Sequence, residues 1–444
     1  MLKILFGFAI KLNHQDISLL KILELESGNI IAIGNYTNQN NVNEIAILKI
    51  NSSGNIILSK SIYANNYISF TDAVYRNGKI YILGTINIQT QGNNLLFIVI
   101  DTNSNIISSK YYPILNYEIP SAISMINNNL YIVGIANPNN FFRPYFMITD
   151  TLGNPRFLKL GYIFYTFTNL KNLFFDGKHI YVYGDYYEGK RISAVFKFDT
   201  LLNLMEIKKI HANFNLPLLG FFKNDDSIFL LTDKHLIIFR SDWKPLSIKN
   251  LSMLSPKFIN FQNSIEIFGI YNNKPFYYVL DRNFPMLRYA NINASNIKYA
   301  KNFVIFNNTQ DYIFKKNSVC HIFQDQLFYL SDISLNITIE NEMTNLITFS
   351  IPYVDIQLSI KELNILFSDI CNTSVKEEKF LKQIGNEILF LEDGEVKIIK
   401  VDGSVYGKYT IKKGQKLSLK KGVYIVLMKT KDKIHIKKSL SILY

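Results

Sequence analysis

The chain has 444 residues, 48% of them hydrophobic, 14% aromatic and 19% charged, with only 11 Pro and 21 Gly, which excludes a disordered or collagen-like polymer and implies a large buried core. That length exceeds one ordinary compact core and suits a repeat array or two to three domains. The net charge of +13 is unevenly placed: residues 403–444 hold eleven Lys against one acidic residue, a net of +10, so the remainder is nearly neutral and a nucleic-acid-binding body is not indicated.

The chain opens with "MLKILFGFAIKLNHQD". One Lys precedes the seven-residue apolar run Ile4 to Ile10, and Lys11 follows it instead of a small-residue cleavage site. The stretch is therefore expected to be a strand, not a signal peptide. No apolar run reaches the roughly 18 residues of a membrane-spanning helix.

From residue 28 an apolar phrase recurs: "IIAIG" at 30–34, "IYILG" at 80–84, "LYIVG" at 130–134 and "IYVYG" at 180–184, with Gly34, Gly84, Gly134 and Gly184 each 50 residues apart. Weaker copies follow as "IFLLT" at 228–232, "IEIFG" at 265–269 and "FVIFN" at 303–307, giving seven units. A second phrase recurs in six of them, where Asn51, Asp101, Asp150, Asp199, Asp242 or Asp281 follows one strand and opens a tight turn into the next. Asp and Asn suit that place because their side chains cap local backbone N–H groups. A period of 40 to 50 residues rich in β-branched and aromatic residues predicts a seven-bladed β-propeller over residues 1–317, one four-stranded blade per unit. Residues 3–12 align with the outermost-strand phrase "NIILSKSIYA". They are expected to supply the outer strand of the last blade and close the ring, removing two open edges.

These repeats, a strand ending in Gly followed by a turn of the type seen in "ILKINSSGNIILSK", resemble those of bacterial and archaeal surface propellers. The resemblance covers roughly residues 1–317 and implies the fold; propellers host many functions. The single Trp, Trp243, falls inside a turn.

Residues 318–378 alternate apolar and polar, as in "SLNITIE" and "VDIQLSI", and predict a β-rich connector or small domain. In residues 379–444, "EVKIIKVDG", "LSLKKGVYIV" and "KIHIKKSL" resemble the C-terminal sorting domain of the bacterial type IX secretion system, through Val396, Lys397, Ile398, Gly403, Leu419, Gly422 to Val426, Lys437 and Lys438. That resemblance implies a small basic β-sandwich used for sorting or anchoring, and with it an extracellular or cell-surface location. The fold class expected for the whole chain is therefore all-β: a seven-bladed propeller, a β connector and a C-terminal β-sandwich.

Two loops of the face expected to bind partners concentrate aromatic and basic residues: "NPNNFFRPY" at 137–145 and "DYYEGKR" at 185–191. Phe141, Phe142, Arg143, Tyr186, Tyr187 and Arg191 are the candidate ligand-binding residues, offering stacking planes and forked donors to a sugar or peptide. "DTNSN" at 101–105 has the alternating oxygens of a calcium loop but coincides with the turn of every other unit, so the turn is preferred. Cys320 and Cys371 make no metal spacing and are either two free thiols or one bridge. No nucleophile elbow, phosphate loop or zinc-protease motif is present, so no catalytic residue, metal or cofactor is assigned. The expectation is a non-enzymatic secreted or surface scaffold binding a surface glycan or a protein. Its basic tail is suited to an anionic envelope surface, and no specific nucleic acid is expected. A polysaccharide-acting lyase or hydrolase and a structural envelope or virion component are the alternatives.

Overall fold

A computed structural model describes residues 9–12, residues 16–251 apart from short loop stretches (90, 116, 138–141, 163–166, 188–190 and 213–214), and beyond 251 chiefly the strand segments given below, up to residue 442. The described residues form strands and connections without a helix. Up to residue 315 they build seven antiparallel sheets in chain order. The first four contain Ile17–Glu24, Ile30–Thr37, Asn43–Ile50 and Ile56–Tyr63; then Ile68–Arg76, Lys79–Ile88, Gly92–Asp101 and Ile106–Tyr112; then Glu118–Ile126, Asn129–Ala136, Arg143–Thr149 and Pro155–Tyr162; then Phe167–Phe175, Ile180–Tyr187, Arg191–Phe198 and Leu204–Ala212. The fifth contains Leu218–Lys223, Ser227–Thr232, His235–Arg240 and Pro245–Asn250, and the sixth Pro256–Phe261, Ile265–Tyr271, Lys274–Leu280 and Met286–Ala290. The seventh combines Asn296–Tyr299, Phe303–Asn307 and Asp311–Lys315 with the N-terminal strand Ala9–Leu12.

The apolar phrases are the second strands, and they read as continuous hydrophobic runs because a neighbouring sheet covers each of their faces. Residues 30–33 and 95–100 are wholly buried. The core is accordingly divided into clusters shared by successive sheets: Ile33, Ile47, Ile82 and Ile98 join the first two, and Phe146, Val182, Phe196 and Phe198 the third and fourth. First strands of the first six sheets pack side by side in succession, Ile265–Tyr271 of the sixth meets Asn296–Tyr299 of the seventh, and Ile17–Glu24 meets Asn296–Tyr299 and Phe303–Asn307, so the sheets close a circle.

The glycine period has a steric cause. The first strand of each of the first six sheets carries a β-bulge, and the residue just before it faces the end of the apolar phrase: Leu19 opposite Gly34, Phe70 opposite Gly84, Pro120 opposite Gly134, Leu170 opposite Gly184, Leu218 opposite Thr232 and Pro256 opposite Gly269. The bulge folds a carbonyl over the partner strand. A methyl built on Gly34, Gly84 or Gly184 would lie within 3.0 Å of the backbone oxygen of Ser18, Ser69 or Asn169. Only hydrogen fits there.

The turn phrase joins third and fourth strands. Asp101 Oδ1 accepts the N–H groups of Asn103 and Asn105, both at 2.8 Å, and Asp150 Oδ1 those of Leu152 and Asn154, both at 2.8 Å. The fourth turn residue is left-handed whether or not it is glycine: Gly54, Ser104, Gly153, Leu202 and Trp243. Asp242 does not open its turn. Arg240 takes that place, since its N–H donates to Lys244 O as that of Asp199 does to Asn203 O, and Asp242 stands third, paired with Arg240 at 2.6 Å. The first three sheets also each donate into the next sheet's turn: Lys49 Nζ to Thr102 O (2.9 Å), Ser108 Oγ to Leu152 O (3.0 Å) and Lys159 Nζ to Asn203 Oδ1 (3.0 Å).

At the N-terminus Ala9–Leu12 pairs with Asp311–Phe314; residues 3–8 of the expected closing strand lie outside the described residues. The segment expected as a connector or small domain adds fifth strands to the ring instead of standing apart. Phe323–Leu327 joins the sixth sheet, Ile337–Glu342 the fourth, Asn345–Phe349 the third, Val354–Asp355 the second, Ser359–Glu362 the first, and Phe367–Asp369 pairs with the N-terminal strand. This belt runs around the outer edges against the order of the sheets. Among the described residues the fifth sheet keeps four strands. Ion pairs fix the belt: Lys110, nearly buried, meets Asp355 at 2.6 Å, and Lys361 reaches Glu44, which is 1% exposed and also accepts from Ser61 Oγ at 2.6 Å and Asn38 Nδ2 at 2.7 Å.

Residues 372–444 form a second compact unit. A three-stranded sheet (Leu381–Ile384, Glu387–Phe390, Lys416–Ser418) and a four-stranded one (Gly394–Lys400, Val405–Ile411, Gly422–Lys429, Ile434–Ile442) contribute to one core of Ile388, Phe390, Val396, Ile398, Ile411 and Leu419. Cys320 and Cys371 lie outside the described residues.

Replacing Gly84 with Ala is expected to cost about 1–3 kcal/mol, because its methyl meets a backbone carbonyl that cannot swing away; thermal unfolding measures it. For Glu44, burial pushes the carboxyl up, but the bonds from Lys361, Ser61 and Asn38 outweigh it and hold it below its ordinary 4.5. Its stabilising contribution is whole above pH 4.5 and is lost as pH falls through the lowered folded value. Lys361→Met should therefore move the acid-unfolding midpoint, followed by circular dichroism, to higher pH.

Candidate functional site

The loops between second and third strands and the connections between sheets lie at one end of the sheets, as their hydrogen bonds show. Asn87 N donates to Tyr67 O and Asn137 N to Tyr117 O, each at 2.8 Å, and Leu216 N to Arg191 O at 3.3 Å. Three residues past the repeated glycine, the second strand faces the start of the third: Thr37 opposite Asn43, Asn87 opposite Asn93, and Tyr187 opposite Arg191. In the first two sheets this pair is hydrogen-bonded, Thr37 Oγ1 to Asn43 Oδ1 at 2.9 Å and Asn87 Nδ2 to Asn93 Oδ1 at 2.8 Å.

The candidate residues occupy the same level in the third and fourth sheets. Arg143 opens a third strand opposite Ala136, and Phe142 immediately precedes it. Phe142 is half-buried and packs on the core between those two sheets, so part of its ring is structural. Phe141 lies outside the described residues. Tyr186 and Tyr187 end the second strand of the fourth sheet, opposite Ile192 and Arg191. Adjacent sheets thus bring Phe142 and Arg143 to the same end as Tyr186, Tyr187 and Arg191.

Sequence reasoning missed what lies beneath. Asp185 is 1% exposed, with Arg191 Nε 3.5 Å and Lys171 Nζ 4.0 Å from its Oδ2. Burial pushes its carboxyl up, and Lys171 and Arg191 oppose that. Arg191 is held further by its own N–H, which donates to Asn215 Oδ1 at 2.9 Å. The loop end of the third sheet hides Glu118, wholly buried, with Oε1 accepting the Leu115 N–H. Burial pushes Glu118 up to about 8, against that bond, and burial followed by the Glu118 charge pushes the enclosed Tyr145 hydroxyl up. Nothing local marks these acids in the sequence. Tyr67 and Tyr117, 50% and 37% exposed, were also missed, although their spacing of 50 is that of the glycines.

Both carboxylate oxygens of Asp101 in "DTNSN" are committed to the turn: besides the two backbone bonds to Oδ1, Oδ2 accepts from Asn105 Nδ2 at 2.8 Å. Among the described residues no group of three His, Cys, Asp or Glu side chains is placed to hold a metal.

No protein-family model and no curated protein matches the chain. Among solved structures it is similar to the WD40 domain of Neurospora crassa Pan2, with 8% identity and a TM-score of 0.47 over 70% of this chain and 93% of that one. It is also similar to the extracellular domain of a putative one-component system of B. thetaiotaomicron, with 9% identity and a TM-score of 0.26 over 96% and 81%. A third is PorZ of Porphyromonas gingivalis, described as a surface component of the type IX secretion system, with 11% identity and a TM-score of 0.25 over 96% and 87%. A subtype N10 neuraminidase-like protein of A/little yellow-shouldered bat/Guatemala/060/2010 aligns with a TM-score of 0.36 at 10% identity, covering 72% of this chain and 100% of that one. All four scores lie below 0.5, so no functional assignment is taken from them.

The buried acid has a measurable signature. A carboxyl raised from 4.5 to about 8 favours the fold fully below the unfolded value and loses that contribution as pH rises toward 8. Urea unfolding at pH 6 and pH 9 is expected to show the native chain weakening, and Glu118→Gln, which keeps the Leu115 acceptor, losing less.

Proposed function

We propose that the chain is a non-enzymatic, secreted or cell-surface propeller of seven blades, with a small basic C-terminal β-sandwich, that binds a surface glycan or a protein through its loop face. The observation that carries this reading is the tier of positions at the loop ends of the first four sheets, Thr37–Asn43, Asn87–Asn93, Phe142 and Tyr187–Arg191. Aromatic, amide and guanidinium groups stand there on strand termini, while the acids at the same level, Glu44, Glu118 and Asp185, are buried. A row of polar strand termini beside enclosed acid side chains suits recognition. Residues 379–444, with their excess of lysine, are assigned to sorting or to attachment at an anionic envelope surface.

A polysaccharide hydrolase or lyase is the second reading. It is favoured by Glu118, a carboxyl that stays largely protonated at neutral pH in the manner of a general acid.

The test combines location with binding. In its native host the protein is expected in the envelope or extracellular fraction, and on a glycan array or partner screen Tyr187→Ala and Arg191→Ala should lose roughly tenfold in affinity, as truncation of aromatic and Arg anchors does, with circular dichroism confirming the fold, because Arg191 also faces the buried Asp185. Phe142 is a poor choice because its ring also packs in the core. A cytoplasmic protein, or binding indifferent to both substitutions, would overturn the reading; turnover of a polysaccharide abolished by Glu118→Gln would replace it with the second.

A further inference from the structure

Charge is scarce in the sequence between strands at the loop end: 163–166, 213–217, 251–255, 272–273, 291–295 and 308–310 hold none, and Asp16, Glu188, Lys190, Asp233 and Lys234 are the exceptions. The connecting stretches 38–42, 64–67, 89–91, 113–117 and 137–142 contain 23 residues, of which none is Lys, Arg, Asp or Glu and twelve are Asn or Gln. A chain that is 19% charged would place about four charges there. Its general wealth of Asn explains amides in loops; it does not explain why no charge interrupts them. The two acids that adjoin these stretches, Glu44 and Glu118, are turned inward and buried.

Along these stretches one arrangement occurs twice with a tyrosine, and once, in the first sheet, with Asp16 in the tyrosine's place. Tyr67 and Tyr117 each stand directly before the first strand of a sheet, each remains substantially exposed, and each has its carbonyl oxygen bound by the residue three past the repeated glycine, Asn87 or Asn137. The sheet before each tyrosine ends in a hydrogen-bonded polar pair, Thr37–Asn43 before Tyr67 and Asn87–Asn93 before Tyr117. For Tyr67 the link is direct, because Asn43 Nδ2 donates to the phenol oxygen. Thr37, Asn43 and Tyr67 therefore form a chain of bonds across two sheets that holds an exposed ring in place before any ligand arrives, which lowers the ordering cost of binding.

An exposed phenol ring offers a flat face to the C–H surface of a pyranose. Amides beside it, able both to donate and to accept, match hydroxyl groups. The charged residue next to the first subsite is an acid, exposed Asp16, whose carbonyl oxygen accepts the Thr37 N–H at 2.9 Å, which disfavours a carboxylate, sulfate or phosphate there. We propose that Tyr67 with Thr37–Asn43, and Tyr117 with Asn87–Asn93, are two repeat-related subsites for an uncharged carbohydrate chain. This rests on the loop face being the binding surface and names its ligand class. Two like subsites one sheet apart suit a polymer of repeating units, since occupation of the first raises the effective concentration at the second.

The full-length protein is run in native gels containing neutral polysaccharides (laminarin, dextran, soluble starch, a xylan) or anionic ones (polygalacturonate, alginate), at low and high salt. Retardation by at least one neutral polymer, indifferent to salt, is expected. Tyr67→Ala and Tyr117→Ala should each weaken it roughly tenfold, the double variant should lose more than either, and Tyr67→Phe should retain most of it. Leu201→Ala, an exposed position in a turn at the opposite, hairpin end, should leave it unchanged. Near-ultraviolet circular dichroism confirms that the variants fold. Binding confined to anionic polymers and lost in salt, no retardation by any polymer, or neutral binding untouched by the double tyrosine variant would each overturn the proposal. If Arg191→Ala alone abolishes binding, the loop face keeps its role and these subsites lose theirs.

Discussion

An outermost strand with nothing beyond it displays a row of backbone N–H and C=O groups that will pair with any other chain, and a ring of separate sheets multiplies that exposure by the number of sheets. Much of this molecule answers the problem. Ala9–Leu12 completes the seventh sheet and is itself covered by Phe367–Asp369, and the belt from Phe323 to Asp369 caps five more. Its register is reinforced by charge where Lys60 lies 4.0 Å from Glu362 and Lys110 2.6 Å from Asp355 across the fourth and fifth strands. The lysine that recurs in the outer-strand phrase thus serves the ring's own perimeter. The fifth sheet, without a belt strand among the described residues, starts its outer strand with Pro245 and bulges it at Leu246, two features that blunt an edge.

The two ends of the sheets divide the work. At the hairpin end, side chains of one sheet are spent on the next sheet's turn, and the turn acids are spent on their own backbone, so polar groups there mostly hold the ring together. At the loop end the bonds run between strand termini and sheet connections. They tie exposed amides and tyrosines to one another and leave their faces outward. Toward the axis, Asp72 links three sheets at once, accepting from Lys21 at 2.6 Å and from the Ile123 N–H at 3.1 Å.

The sequence made plain what arises from short-range demands. Gly34, Gly84, Gly134 and Gly184 were visible because a bulged carbonyl forbids any Cβ, and Asp101, Asp150 and Asp199 because an Asx cap acts within five residues. Asp242 misled because a turn of the same shape forms without a capping acid when Trp243 accepts the left-handed conformation. The belt was invisible as a belt: Ser109 meets Ile356, and Glu44 meets Lys361, 317 positions away, and simple alternation says nothing about which edge a strand will choose. At the candidate site, Tyr187 and Arg191 could be placed at a strand end from the repeat, yet the burial of Asp185 beneath them depends on the neighbouring sheet. Tyr67 and Tyr117 stood outside the repeated phrase, where only their spacing could have drawn notice.

The belt also sets how the molecule answers force. Its strands dock in reverse order, the last of them, Phe367–Asp369, resting on the N-terminal strand, and the chain then continues into the lysine-rich C-terminal unit. A pull on that unit bears first on three residues of pairing, then on Ser359–Glu362, then on Val354–Asp355, so load is taken one short strand at a time, as when tape is peeled from a rim. Each release lengthens the tether and spends work while the ring behind it keeps its inner strands. A chain held to a surface by its C-terminus would carry in this winding its own shock absorber.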